Sequence, residues 1–153
     1  MTSSYNDIYS RFLRKVTDYA LASLLEPNAS ERMKEWLQSS LSDPYIYRIF
    51  DTFSADDEIA EIEYTLKSSV DDYHDKNFVE ELLGNAIVLQ WVSPRVKKSS
   101  NMDQLITNSK EEKFYAQSTH LKELRELEAD AYNKVRGMLR DKGYIYNSYL
   151  ENK

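Results

Sequence analysis

The stretch from Phe78 to Pro94, FVEELLGNAIVLQWVSP, limits the fold more than any other part of the chain. It opens as an amphipathic pattern, with Phe78, Val79, Leu82, Leu83 and Ala86 at helical spacing. From Ala86 through Leu89, and again at Trp91 and Val92, apolar side chains fall on nearly every face. A helix apolar all round has to be buried against several neighbours, so this one is expected to be the central post of a helical domain. It is too short to span a bilayer, and Glu80, Glu81, Asn85 and Gln90 interrupt it. Pro94 is expected to stop it.

A chain of 153 residues holds one domain with a real core and no room for a second. With 41% apolar residues, 12 Tyr and 5 Phe, it is too hydrophobic and too aromatic to be disordered. Only 3 Gly and 3 Pro argue against an all-β sandwich, which needs frequent turns. The absence of Cys excludes disulfides, thiolate zinc sites and cysteine nucleophiles, and suits a cytosolic chain. The first residues lack the apolar core of a signal peptide, and no later stretch reads as membrane-spanning. A net charge of -6 opposes a general grip on nucleic-acid phosphates. These features lead us to expect a soluble, intracellular protein.

The periodicity predicts a mainly α fold: a bundle of about four helices with long loops and a minor β element. Ser4 or Asn6 can cap a first helix running to about Leu25, with Ile8, Phe12, Val16, Ala20 and Leu24 along one stripe. A second helix starts at Asn28 or Ser30, carries Met33, Trp36, Leu37 and Leu41, and ends at Asp43-Pro44. Residues 45–53 read as extended or irregular. Ser54 and Asp57 suit a capping box, whereas Ile62, Tyr64 and Leu66 alternate with polar residues as in a strand. Residues 68–76 read as a polar loop leading to the central helix near Asn77. Residues 95–113 read as a long connection with one helical turn at Met102–Ile106. The last helix is expected from about Ser118 to Lys142, with a seam of Leu121, Leu124, Ala131, Val135 and Met138 and Gly143 as its C-cap. Trp36 and Trp91 read as core anchors, and the buried ring N–H of Trp91 calls for a carbonyl partner. This organisation divides the chain into a helical domain, residues 1–143, and a C-terminal aromatic arm, residues 144–153.

Chemistry is hard to find in the residues. The densest set of candidate ligands is Asp71, Asp72, His74 and Asp75, which a metal-dependent hydrolase could use. Such a site needs further histidines upstream, and the only other histidine is His120. No Glu lies three residues before either histidine, as a di-iron bundle requires. No Gly-x-Ser-x-Gly elbow and no Gly-rich phosphate loop is present. The expectation is a non-enzyme with no metal and no cofactor.

Trp91-Val92-Ser93-Pro94, the segment Phe114 to Leu124, and a long helix closing on Tyr144-Ile145-Tyr146 together resemble a group of small structural proteins of tailed bacteriophages. The opening Ile8-Tyr9-Ser10-Arg11-Phe12-Leu13 is similar to the start of such chains. They are the neck proteins, the head–tail connectors or adaptors. The resemblance lies in spacing and aromatic punctuation over most of the chain, and Asp56 to Lys76 fits it least. It implies a homo-oligomeric ring of helical subunits in the virion neck, assembled in the host cytoplasm. Its partners would be the portal protein, neighbouring copies, and the next neck or tail-completion protein. Double-stranded DNA would pass through the lumen without tight binding, and no membrane is involved.

Within that reading, Asp56, Asp57, Glu58, Glu61 and Glu63 are candidates for a lumen that does not hold phosphate, or else form a solvated acidic face. Arg95, Lys97 and Lys98 are candidates for pairing with a neighbouring subunit, or else answer a helix dipole. Tyr144, Tyr146, Tyr149 and Leu150 offer rigid aromatic area for docking on the portal or an adjacent subunit, or fold back on the bundle. Two alternatives are a small helical regulatory module that binds one protein through the same tail, and another phage tail-completion protein.

Overall fold

The structure, a computed structural model, describes residues 1–17, 29–105 and 111–144. Its elements in chain order are β1 (Thr2–Ser4), α1 (Tyr5–Thr17), α2 (Ala29–Leu41), α3 (Pro44–Tyr47), β2 (Phe50–Asp56), β3 (Glu61–Leu66), α4 (Asp72–Leu105) and α5 (Glu111–Tyr144). The fold is mainly α with a minor β element, as the periodicity predicts. The sheet is antiparallel with strand order β1-β3-β2.

α4 is the post around which the rest packs, touching α1, α2, α5 and β1. Val79, Leu82, Leu83, Ala86, Ile87, Val88, Trp91 and Val92 are all buried, so the near-absence of a polar face reflects neighbours on every side. Phe12 of α1 meets Trp36 of α2 and Trp91 of α4, with ring centroids 5.8 and 6.3 Å away. Gly84 lets α1 and α4 come this close: a Cβ there would lie 2.7 Å from Arg11 Cβ and 3.4 Å from Phe12 N.

β3 keeps its predicted alternation, with Ile62, Tyr64 and Leu66 buried and Glu63 and Thr65 exposed. The Tyr64 hydroxyl shares a hydrogen bond with Ser3 of β1 at 2.9 Å. Ser4 caps α1 by accepting from Asp7 N, and Asp43 caps α3 by accepting from Tyr45 N.

Several expectations are corrected. Pro94 does not end the central helix, which runs on to Leu105 and absorbs Met102 to Leu105. The carbonyl that the proline deprives of its N–H belongs to Gln90, which is half-exposed on the same side as exposed Pro94. One turn on, Arg95 donates from Nη1 to Trp91 O at 2.7 Å, bracing the helix beside the break. The expected connection 95–113 is therefore mostly helix, and α5 starts at Glu111 rather than Ser118. α4 starts at Asp72 rather than near Asn77, because Asp71 accepts from His74 N at 2.8 Å and caps it. Gly143 lies inside the last turn of α5 instead of capping it. Residues 45–53 split between α3 and the start of β2, and the Ser54–Asp57 box is replaced by the end of β2 and its turn. Asp56 nucleates that turn by accepting from Glu58 N and Ile59 N, an arrangement that mimics a cap in sequence. The buried ring N–H of Trp91 has no acceptor among the described residues. The expected extension of α1 to Leu25 and the Asn28 cap lie outside those residues.

Replacing Gly84 with Ala favours the helix by about 1 kcal/mol. Forcing α1 and α4 apart costs about 1–3 kcal/mol. Gly84→Ala is therefore expected to lower the midpoint of urea unfolding, and a raised midpoint contradicts the close approach.

Candidate partner-binding surfaces

Of the residues singled out for chemistry, Asp71 and Asp75 hold the scaffold together. Asp71 is the N-cap of α4, and its second carboxylate oxygen lies 2.6 Å from His74 Nδ1. Asp75, adjacent in sequence, points inward and is fully buried. It accepts from Lys142 Nζ at 3.0 Å and from Val70 N at 3.1 Å. The start of α4 is thus clamped to the end of α5. Burial alone would raise the Asp75 pKa, but bonds from Ser69, Lys142 and Val70 outweigh it and hold the carboxyl below its ordinary value. The Lys142 ammonium also lies over the Phe78 ring, 4.9 Å from its centroid. Among the described residues no three His, Asp or Glu side chains converge as a metal would require.

A second internal set joins α1 to α4. Arg11 Nη2 donates to Asn77 Oδ1 at 2.7 Å and to Glu80 Oε2 at 3.3 Å, while Lys15 pairs with Glu81. Burial raises the Glu81 pKa, and Lys15, Asn85 and Arg11 more than reverse that shift. These charges explain how a helix buried on every side tolerates Glu80 and Glu81.

The acidic candidates gather on the β2–β3 hairpin, where the structure gives them different duties. Asp57 is a latch: it accepts from Tyr5 Oη at 2.6 Å and Gln38 Nε2 at 3.2 Å, and pairs with Lys34 at 3.1 Å. The Tyr5 bond, then Lys34 and Gln38, hold the Asp57 carboxyl below its usual range. Tyr5 moves the opposite way, raised first by burial and then by Asp57, so it stays a donor at moderately alkaline pH. Tyr9 is pushed up to about 12 by burial and the Asp57 charge. Asp56, Glu61 and Glu63 share the outer face of the sheet, and Glu58 sits in the turn beside Ile59, which is 65% exposed.

The basic candidates separate as well. Arg95 is spent on the core, its guanidinium 4.4 Å from the Trp91 ring centroid and 6.0 Å from that of Trp36. Lys97 and Lys98 are exposed on α4, where Lys97 borders a groove of about 730 Å³ with Glu128 and Tyr132. Tyr144 is the last residue of α5, and Tyr146, Tyr149 and Leu150 lie outside the described residues.

Sequence reading missed the main basic feature. A cavity of about 650 Å³ at the base of the hairpin is lined by Arg48, Lys67, Arg136, Arg140 and Lys142, with no carboxylate in its wall among the described residues. Arg136 lies over the Tyr45 and Tyr132 rings, at 4.3 and 5.4 Å from their centroids. Arg140 Nε lies 3.5 Å from Asp141, and both are exposed. Arg136, Arg140 and Lys142 were visible as neighbours in the sequence, but Arg48 and Lys67 arrive from distant segments. Among the described residues no helix is long and apolar enough to cross a membrane. Comparisons with protein-family models, curated proteins and solved structures found no match.

Three outcomes follow from these contacts. Lys142→Met strands a buried carboxylate and is expected to cost about 3–5 kcal/mol in urea unfolding; a loss under about 1 kcal/mol contradicts the clamp. Because Asp75 is held below its unfolded pKa, its contribution is present above about pH 4 and lost as pH falls through the lower folded value. In Asp75→Asn the fall of stability with acid should accordingly be shallower than in the parent chain. Tyr5→Phe should speed amide exchange at residues 58–61 while leaving the α4 core as slow as before, and unchanged tip exchange contradicts the latch.

Proposed function

We propose that this chain is a structural subunit of a tailed-bacteriophage neck, a head–tail adaptor that repeats as a ring between the portal and the next neck component. The observation that carries the reading is the division of its polar groups. Asp71, Asp75 and Asp57 are engaged in capping, clamping and latching the scaffold. Those left over lie on the surface as separate acidic and basic patches, which suits a part built to be joined to others.

Architecture supports the same reading. α4 and α5 each contain 34 residues, so each helix is about 50 Å long at 1.5 Å per residue. The pair forms a beam long enough to present one surface to a neighbour and another to the layers above and below. Their far ends carry the residues that the sequence marked for contact, Lys97 and Lys98 on α4 and Tyr144 at the end of α5. The resemblance to neck proteins then supplies the partners: portal, neighbouring copies and a tail-completion protein, with DNA passing through the lumen.

The arm gives the test. Deleting residues 144–153 keeps Lys142 and its partner Asp75, so the truncated chain is expected to melt close to the full chain yet fail to co-sediment with isolated portal rings. Unfolding of the truncated chain, or undiminished binding to portal rings, contradicts the assignment of docking to the arm. A full chain that ignores portal rings contradicts the neck reading itself.

A further inference from the structure

We infer that the acidic outer face of the β2–β3 hairpin docks into the basic cavity at the hairpin base of a second copy of this chain. The inference names the contact between neighbours in the proposed ring, and so rests on the reading of the chain as a repeating subunit.

The acidic half is defined by register. Asp56 pairs with Glu61, Ser54 with Glu63 and Thr52 with Thr65, so the outer face carries three carboxylates among small hydroxyl side chains. Glu58 and exposed Ile59 extend it around the turn. Among the described residues Asp56, Glu58, Glu61 and Glu63 form no ion pair. Like charges directly opposite on paired strands are destabilising, so Asp56 across from Glu61 is a cost that a cationic partner offsets.

The basic half is defined by the cavity. Among the described residues Arg48 and Lys67 meet no carboxylate, and Arg136 rests on tyrosine rings. Lys142 is already committed to Asp75 and Arg140 lies 3.5 Å from exposed Asp141, leaving Arg48, Lys67 and Arg136 to face an incoming anion. Tyr45, Ile49 and Leu139 supply apolar wall for a side chain such as Ile59. Such a concentration of cations in a chain of net charge -6 gives a surface complementary to the acidic hairpin face.

One copy cannot satisfy both halves. Glu63, the acid of this face nearest to Lys67, is four residues from it along the chain, about 13 Å at 3.3 Å per residue, and Glu61 is about 20 Å away. Both separations exceed the screening length of about 8 Å at physiological salt. Between two copies the patches can touch, hairpin face of one in cavity of the next. The contact is heterologous, so it repeats and closes into a ring if the rotation per copy allows. It also takes Glu61 and Glu63 out of the lumen, because carboxylates buried against a neighbour cannot line a channel.

Sedimentation equilibrium of the full chain tests this contact without any portal. The expected result is self-association that weakens as salt rises, the reverse of what net repulsion between acidic molecules produces. Glu61→Lys with Glu63→Lys, and separately Arg48→Glu with Lys67→Glu, should each weaken it about tenfold or more. Glu63, Arg48 and Lys67 are exposed and Glu61 is half-buried on the outer face of the sheet, so both variants should melt near the parent. An equimolar mixture should recover association, because each reversed patch then meets its complement on the other variant. If a reversal prevents folding, Gln at the same positions should still weaken association, with no recovery on mixing.

A chain that stays monomeric to about 1 mM overturns the inference, as does association indifferent to both reversals. Saturable binding of inorganic phosphate by a persistent monomer overturns it in favour of a small-anion site. Normal portal binding with indifferent self-association removes this contact and leaves the neck reading standing. Charge-dependent self-association without portal binding keeps the contact and removes the neck reading.

Discussion

The rest of the molecule hangs on the buried pair between Asp75 and Lys142. It joins the first turn of α4 to the last turns of α5, and through Val70 N it pins the segment between β3 and α4. Two 34-residue helices meeting only along an apolar seam could slide or splay, since dispersion contacts are weakly directional. An ion pair with 0% and 9% side-chain exposure fixes their register, because a one-turn slip would leave a carboxylate buried and unpaired. The same clamp brings Arg136 and Arg140 beside Arg48 and Lys67. Without it the basic cavity would not exist as a single surface.

At the other end of the domain, Gly84 and the Arg11–Glu80–Glu81–Lys15 set do for α1 and α4 what the clamp does for α4 and α5. Close approach at Gly84 excludes water from Phe12 and Trp91, and the charged set lines the side of that contact. Polar groups are thereby divided into two populations. One is buried or latched and defines a single arrangement of helices. The other lies toward the surface, most of it without an ion-pair partner among the described residues, and this population is what the proposed assembly uses.

Much of this was legible beforehand. The helical spacing of Phe78 to Val92 identified the central post, and the alternation of Ile62, Tyr64 and Leu66 identified the strand at the centre of the sheet. Both patterns are set by burial, and burial is written in periodicity. Local chemistry read without its surroundings misled. Pro94 looked like a terminator because the sequence does not reveal that the carbonyl it orphans, that of Gln90, lies on the exposed side of a helix held on its other faces. Asp71 to Asp75 looked like one cluster, yet helical geometry sends Asp71 to the cap and Asp75 to the core. Arg95, Lys97 and Lys98 were conspicuous as neighbours in sequence, whereas Arg48, Lys67, Arg136 and Arg140 become neighbours only through the fold. Sites assembled from distant segments carry no contiguous signal.

These observations describe a rigid helical part whose remaining charge is sorted to opposite ends of one hairpin, a distribution that favours repetition. The most direct measurement is electron microscopy of DNA-filled, tailless phage heads incubated with the purified chain. The account predicts a closed ring of copies at the portal vertex, each with its β2–β3 hairpin directed toward the cavity of its neighbour. Bare portal vertices at saturating protein would contradict it.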